Sequence, residues 1–147
     1  MEPSSVPVPG RCDESQHLAA RVVLLVDDDD IFRTALAESL REDGYCVQAY
    51  ATPGDIPPLP LLDDVVVLIT DYEMPGEDGL AFAKRFHGSH PGVPVIMVTG
   101  HCGIRLEHED ATADFLSLRC KPIDYEELHQ LVQQAQRRVQ CKRPSTS

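Results

Sequence analysis

Three unbroken runs of apolar residues constrain this chain more than anything else in it: Val22 to Val26, Val65 to Ile69 and Val93 to Val98. A strand with one face in water alternates apolar and polar side chains. A run that does not alternate needs cover on both faces, which is the environment of a parallel α/β sheet. Two further runs read as strands, Tyr45 to Tyr50 and the less regular Phe115 to Cys120. Helical spacing appears between and after them. Phe32, Leu36, Ser39 and Leu40 share one face, as do Leu80, Ala83 and Phe86, and again Leu128, Leu131, Val132, Ala135 and Val139. Strand followed by helix, five times over, predicts an α/β fold with a doubly wound five-stranded parallel sheet.

Two connections fit that scheme poorly, so the second and fourth helices are expected to be weak or absent. Pro53, Pro57, Pro58 and Pro60 crowd the stretch between the second and third runs. An interior proline costs a helix about 3 kcal/mol, so a short turn or extended loop is expected there. Ile104 to Asp114 is polar and carries almost no apolar stripe. Residues 1–20, with Pro3, Pro7, Pro9 and Gly10, read as a flexible leader, residues 21–139 as one domain, and 140–147 as a disordered tail.

A formal net charge of -11 argues against a surface built for nucleic acid, because phosphates would be repelled. No apolar run approaches the roughly 20 residues that span a bilayer, and the amino-terminal stretch lacks a charged segment followed by an apolar one. Five scattered cysteines, odd in number and without a C-x-x-C pair, suit a reducing compartment. The expectation is a cytoplasmic protein without membrane or nucleic-acid partners.

The chemistry lies at the strand ends. In an open parallel sheet the ligand crevice opens beyond the carboxyl ends of the strands, where the winding reverses. Asp27, Asp28, Asp29 and Asp30 follow the first run, Asp71 the third, Thr99 and Gly100 the fourth, and Lys121-Pro122 the fifth. Carboxylates brought together raise one another's pKa unless a cation balances them. Hard oxygen ligands with room for water and phosphate describe a Mg²⁺ site rather than a zinc site. A carboxylate beside Mg²⁺ can attack phosphorus and form an acyl phosphate, with Lys121 and Thr99 available for the remaining phosphoryl oxygens. Taken singly, each feature has a plainer reading. Aspartates after a strand cap helices or lie on the surface, the roles expected of Asp29 and Asp30, and Lys-Pro is an ordinary turn.

Together these residues resemble the receiver domains of bacterial two-component response regulators. The resemblance rests on Val26-Asp27-Asp28, on Asp71 to Gly79 (Asp-Tyr-Glu-Met-Pro-Gly-Glu-Asp-Gly), on Val95 to Gly100 and on Lys121-Pro122, in the family's order. It implies a flavodoxin-like fold with Asp71 as phosphoacceptor. Asp28 would ligate Mg²⁺ directly, Asp27 largely through water, and Glu73 by its backbone carbonyl. Thr99 and Lys121 would contact the phosphoryl group, and the Lys121–Pro122 bond would be cis. The implied partners are a histidine kinase or phosphotransfer protein and a downstream protein, in a single-domain regulator or a phosphorelay. Beyond supporting its own phosphorylation and dephosphorylation, no enzymatic activity is expected. The family usually carries an aromatic residue three positions before the lysine. Here that position is Leu118, with Phe115 further back. That departure keeps open an alternative, a receiver-like interaction module indifferent to phosphate.

Overall fold

The computed structural model describes residues 22–100 and 116–142. Five strands, β1 (Val22–Val26), β2 (Cys46–Tyr50), β3 (Val65–Asp71), β4 (Val95–Thr99) and β5 (Leu116–Cys120), form one sheet in the order β2-β1-β3-β4-β5. Every neighbouring pair is parallel. Three α-helices complete the described chain: α1 (Asp30–Glu42), α2 (Gly79–Ser89) and α3 (Tyr125–Lys142). The expected fold class is the one found.

The unbroken apolar runs are explained by two cores, one on each face of the sheet. Val23 and Leu25 of β1 point with Ile69, Ile96 and Val98 toward Leu36, Ala37 and Leu40 of α1 and Leu128, Val132 and Ala135 of α3. The alternate residues Val22, Leu24 and Val26 point the other way, with Leu68, Val95 and Met97, toward Phe82, Ala83 and Phe86 of α2. All five residues of β1 are buried. Phe82 and Phe86 are wholly buried, and truncating a phenylalanine so placed to Ala costs about 3–5 kcal/mol.

The prolines between β2 and β3 act as expected. Two 3₁₀ turns, Pro53–Asp55 and Leu59–Leu61, stand where a helix would lie. They still serve the core, because Leu59 and Leu62 are buried on the α2 side. The polar stretch 104–114, and residues 1–20, expected to be a leader, fall outside the described residues. Cys46, buried at the start of β2, is disulfide-bonded. Cys120 is exposed and takes part in no disulfide. Among the described residues no helix is long and apolar enough to cross a membrane.

The topology fixes where a ligand would go. From β1 the chain passes outward to β2 and then returns to β3 on the other side of β1, so the winding reverses between β1 and β3. Register places Val26 beside Thr70, Asp71 beside Val98, and Thr99 beside Cys120. The carboxyl ends of these four strands therefore lie side by side.

Candidate phosphoryl and metal site

Asp27 is the first residue beyond β1, and its environment is built from every side. Its backbone N–H donates to the Tyr50 carbonyl at 3.1 Å. One carboxylate oxygen accepts from the Asp29 N–H at 2.9 Å and the other from the Lys121 ammonium at 2.9 Å. Only 1% of its surface is exposed. Burial of a charge without a partner would cost several kcal/mol, so the lysine is the condition for Asp27 being where it is. The Arg33 guanidinium holds the same turn from below, donating to the Asp27 carbonyl oxygen at 2.7 Å and pairing with Asp30 at 2.6 Å.

The four successive aspartates divide their roles. Asp27 is buried and Asp28 is exposed. Asp29 caps α1, accepting from the Ile31 and Phe32 N–H groups, and Asp30 stays on the surface with Arg33. Asp29 and Asp30 are thus a capping and a surface residue, as expected.

Asp71 is the last residue of β3, which runs two residues past the apolar stretch that ends at Ile69. One of its oxygens accepts from the Tyr72 N–H at 2.8 Å. Beyond it the chain doubles back, and the Gly79 N–H donates to the Tyr72 carbonyl at 2.6 Å. A side chain at 79 would put its Cβ 2.0 Å from the Asp71 carbonyl oxygen, so the start of α2 can lie against the acceptor strand only with glycine there. Asp78 caps α2 through the Ala81 N–H. Glu73 is exposed on the intervening loop.

Carboxylate oxygens of Asp27, Asp28 and Asp71 lie within 4.8 Å of one another. The pKa of Asp71 is raised from 3.8 to about 6. Burial is the largest cause, and the charge of Asp27 adds to it. Lys121 and the Tyr72 N–H pull the other way. Three hard oxygen donors, one of them exposed to solvent, fit a small divalent cation that keeps several waters.

Thr99 is buried at the end of β4, and its carbonyl accepts from the Lys121 N–H at 2.7 Å, which fixes where the lysine leaves β5. The Lys121–Pro122 bond is cis, as the resemblance implies. The Lys121 ammonium also lies 4.3 Å from the centre of the Phe32 ring. Asp27, Asp28, Asp71, Thr99 and Lys121 are thus gathered at one end of the sheet.

The departure at Leu118 is real. The β4–β5 register is continuous from Val95 beside Leu116 to Thr99 beside Cys120, so no slip brings another residue to that position. Leu118 faces the α2-side core, and Phe115 lies outside the described residues. Three contributors escaped the sequence reading. Phe32 has the spacing of the α1 core stripe, Arg33 stands in no motif, and Gly79 is one residue of the stretch that resembles the family. A signal existed for Gly79 alone, since glycine at the first position of a helix invites the question of what approaches it.

Comparisons with known proteins agree with this geometry. The family described as "Response regulator receiver domain" matches residues 23–133. The C4-dicarboxylate transport transcriptional regulatory protein DctD of Rhizobium meliloti is 32% identical over 121 residues, covering 80% of this chain and 26% of the relative. The DNA-binding transcriptional regulator NtrC of Escherichia coli is 31% identical over 137 residues, covering 85% and 29%. The chain thus spans under a third of the length of these relatives. Among solved structures, the apo receiver domain of nitrogen regulatory protein C is 32% identical with a TM-score of 0.66, covering 82% of this chain and 98% of that one. A receiver domain protein from Methanospirillum hungatei, 24% identical, superposes with a TM-score of 0.73, covering 84% and 98%, and attests the fold. This chain belongs to the response regulator receiver domain family.

Proposed function

We propose that the chain accepts a phosphoryl group on Asp71, from a phosphorylated histidine of a kinase or phosphotransfer protein, and signals the result by protein binding. The observation that carries this reading is the gathering of Asp27, Asp28 and Asp71 within 4.8 Å, with Lys121 paired to Asp27, at the reversal point of the sheet.

The residues divide the work by chemistry. One Asp71 oxygen is engaged by the Tyr72 N–H, which leaves the other as the nucleophile. A lone pair on that oxygen attacks phosphorus, the P–N bond of the donor breaks, and the imidazole nitrogen leaves with the bonding pair and takes a proton. Asp27, Asp28 and Asp71, with the Glu73 carbonyl, are the residues that would hold Mg²⁺. The cation would supply positive charge to the phosphoryl oxygens. Lys121 would pair with a second phosphoryl oxygen and Thr99 would donate its hydroxyl to a third. Hydrolysis of the acyl phosphate resets the protein, so it undergoes its own phosphorylation and dephosphorylation and turns over no separate substrate. The charge of -11 supports protein binding over nucleic-acid binding as the output of this stretch of chain.

The test is intact mass after incubation with phosphoramidate. A gain of one phosphoryl group is expected with Mg²⁺, and none with EDTA or in Asp71→Asn. An unmodified chain under every condition, including with candidate kinases, would overturn the proposal.

A further inference from the structure

The Lys121 ammonium sits between a carboxylate and a ring, Asp27 Oδ2 at 2.9 Å and the centre of Phe32 at 4.3 Å. Both partners are fixed by backbone. Asp29 caps α1 by accepting from the Ile31 and Phe32 N–H groups, which sets the start of the helix. Ile31 then points to solvent with 83% of its surface exposed, while Phe32 turns inward and packs against the core shared by α1 and α3. Lys121 is fixed by its N–H bond to the Thr99 carbonyl. The ring and the ammonium thus meet from elements distant in sequence, and the lysine side chain is only 18% exposed. A cation within about 6 Å of a ring centre and partly stripped of water is where the attraction of the ring face is largest.

We propose that Phe32 is a positioning residue for phosphoryl transfer: the face of its ring steadies the Lys121 ammonium beside the carboxylate cluster without adding negative charge to it. The inference rests on the acceptor reading of Asp71. Its physical content is a comparison of possible neighbours for the lysine. A further carboxylate would hold the ammonium more tightly, but the site already has three, and an anionic phosphoryl group must enter it. An aliphatic side chain would pack against the lysine stem and leave the ammonium, on its flexible four-carbon chain, held by Asp27 alone. The ring attracts the cation through its quadrupole and carries no net charge. It also accepts no proton and competes for no phosphoryl oxygen.

The experiment uses the full chain with phenylalanine at position 32 replaced by its mono-, di- and trifluorinated analogues, which weaken the ring quadrupole while nearly preserving shape. Phe32→Leu and Phe32→Tyr accompany the series. Three quantities are read: the rate of phosphorylation by phosphoramidate at saturating Mg²⁺, the Kd for Mg²⁺ alone, and the ring-current shift of the Lys121 ε-methylene protons. The rate is expected to fall with each fluorine, by about threefold to tenfold across the series. Phe32→Leu should fall at least as far and lose the upfield shift, and Phe32→Tyr should keep both. The Kd for Mg²⁺ and the Tm should stay level across the fluorinated forms. A rate indifferent to fluorination would overturn the proposal, as would an unshifted lysine signal in the parent chain. Failure of the acceptor reading looks different: the parent would not be phosphorylated, while its lysine signal would still report whether the ring holds the ammonium.

Discussion

Asp71 is held in the folded protein against its own charge, and this has a measurable cost. Its pKa rises from 3.8 to about 6, chiefly through burial and secondly through Asp27. An acid whose folded pKa lies above its unfolded one binds its proton more tightly when folded. The stability it contributes is therefore fully present below the unfolded value and is lost as pH rises through the folded value. The window here runs from about pH 4 to about pH 6. A shift of about two units corresponds to about 3 kcal/mol across the whole window, of which about 1 kcal/mol falls between pH 5 and pH 7. Against a domain stability of about 5–15 kcal/mol this is a large share. The perturbation is Asp71→Asn, which keeps an oxygen for the Tyr72 N–H and removes the titration. The assay is urea unfolding of both proteins in EDTA from pH 4 to pH 7.5, read as the difference between them so that histidines cancel. Asp71→Asn should be the more stable form at pH 7, by about 3 kcal/mol, with the gap closing toward pH 4. Curves that run parallel over that range would refute the reasoning, since Asp71 would then carry no strained charge.

Four further outcomes follow from the same geometry. Mg²⁺ should stabilise the parent by an amount that grows with the logarithm of its concentration above the Kd, and offset the cost of the ionised Asp71; urea unfolding with and without the metal reads it. Asp28→Asn should weaken the Kd for Mg²⁺ by about tenfold or more while leaving metal-free stability level, because Asp28 is exposed; calorimetry and urea unfolding read the two. Lys121→Met leaves the Asp27 carboxylate buried without its cation and should destabilise the fold by about 3–5 kcal/mol, a loss that Asp27→Asn in the same chain should largely restore by urea unfolding. Gly79→Ala should cost at least about 1–3 kcal/mol and slow phosphorylation although no charge changes, because its Cβ meets the Asp71 carbonyl at 2.0 Å; circular dichroism melts and intact mass read both effects.

The sheet and its two-sided core were legible in the sequence because burial on both faces leaves a strong mark, an apolar run with no alternation. The same mark sets the ends of the strands, and Asp27, Asp71, Thr99 and Lys121 were found by standing next to those ends. The prolines between β2 and β3 were equally readable, since proline acts locally on the backbone. What escaped was contact between distant parts of the chain. Phe32 has the spacing of a core residue, and nothing local says that the ring meets an ammonium 89 residues further on. The bond from Arg33 to the Asp27 carbonyl spans one turn of chain at a helix start, but backbone acceptors leave no trace in residue identity. The tight approach at Gly79 depends on how the loop after β3 returns, which composition does not encode.

The central claim is that Asp71 carries the phosphoryl group, and borohydride trapping tests it most directly. Hydride reduces an aspartyl phosphate to homoserine with release of phosphate, and leaves free carboxylates untouched. After phosphorylation with Mg²⁺ and reduction, peptide mapping should find homoserine at position 71 and at no other aspartate, Asp27 and Asp28 included. Homoserine elsewhere, or a phosphoryl adduct that survives reduction with Asp71 intact, would contradict the account.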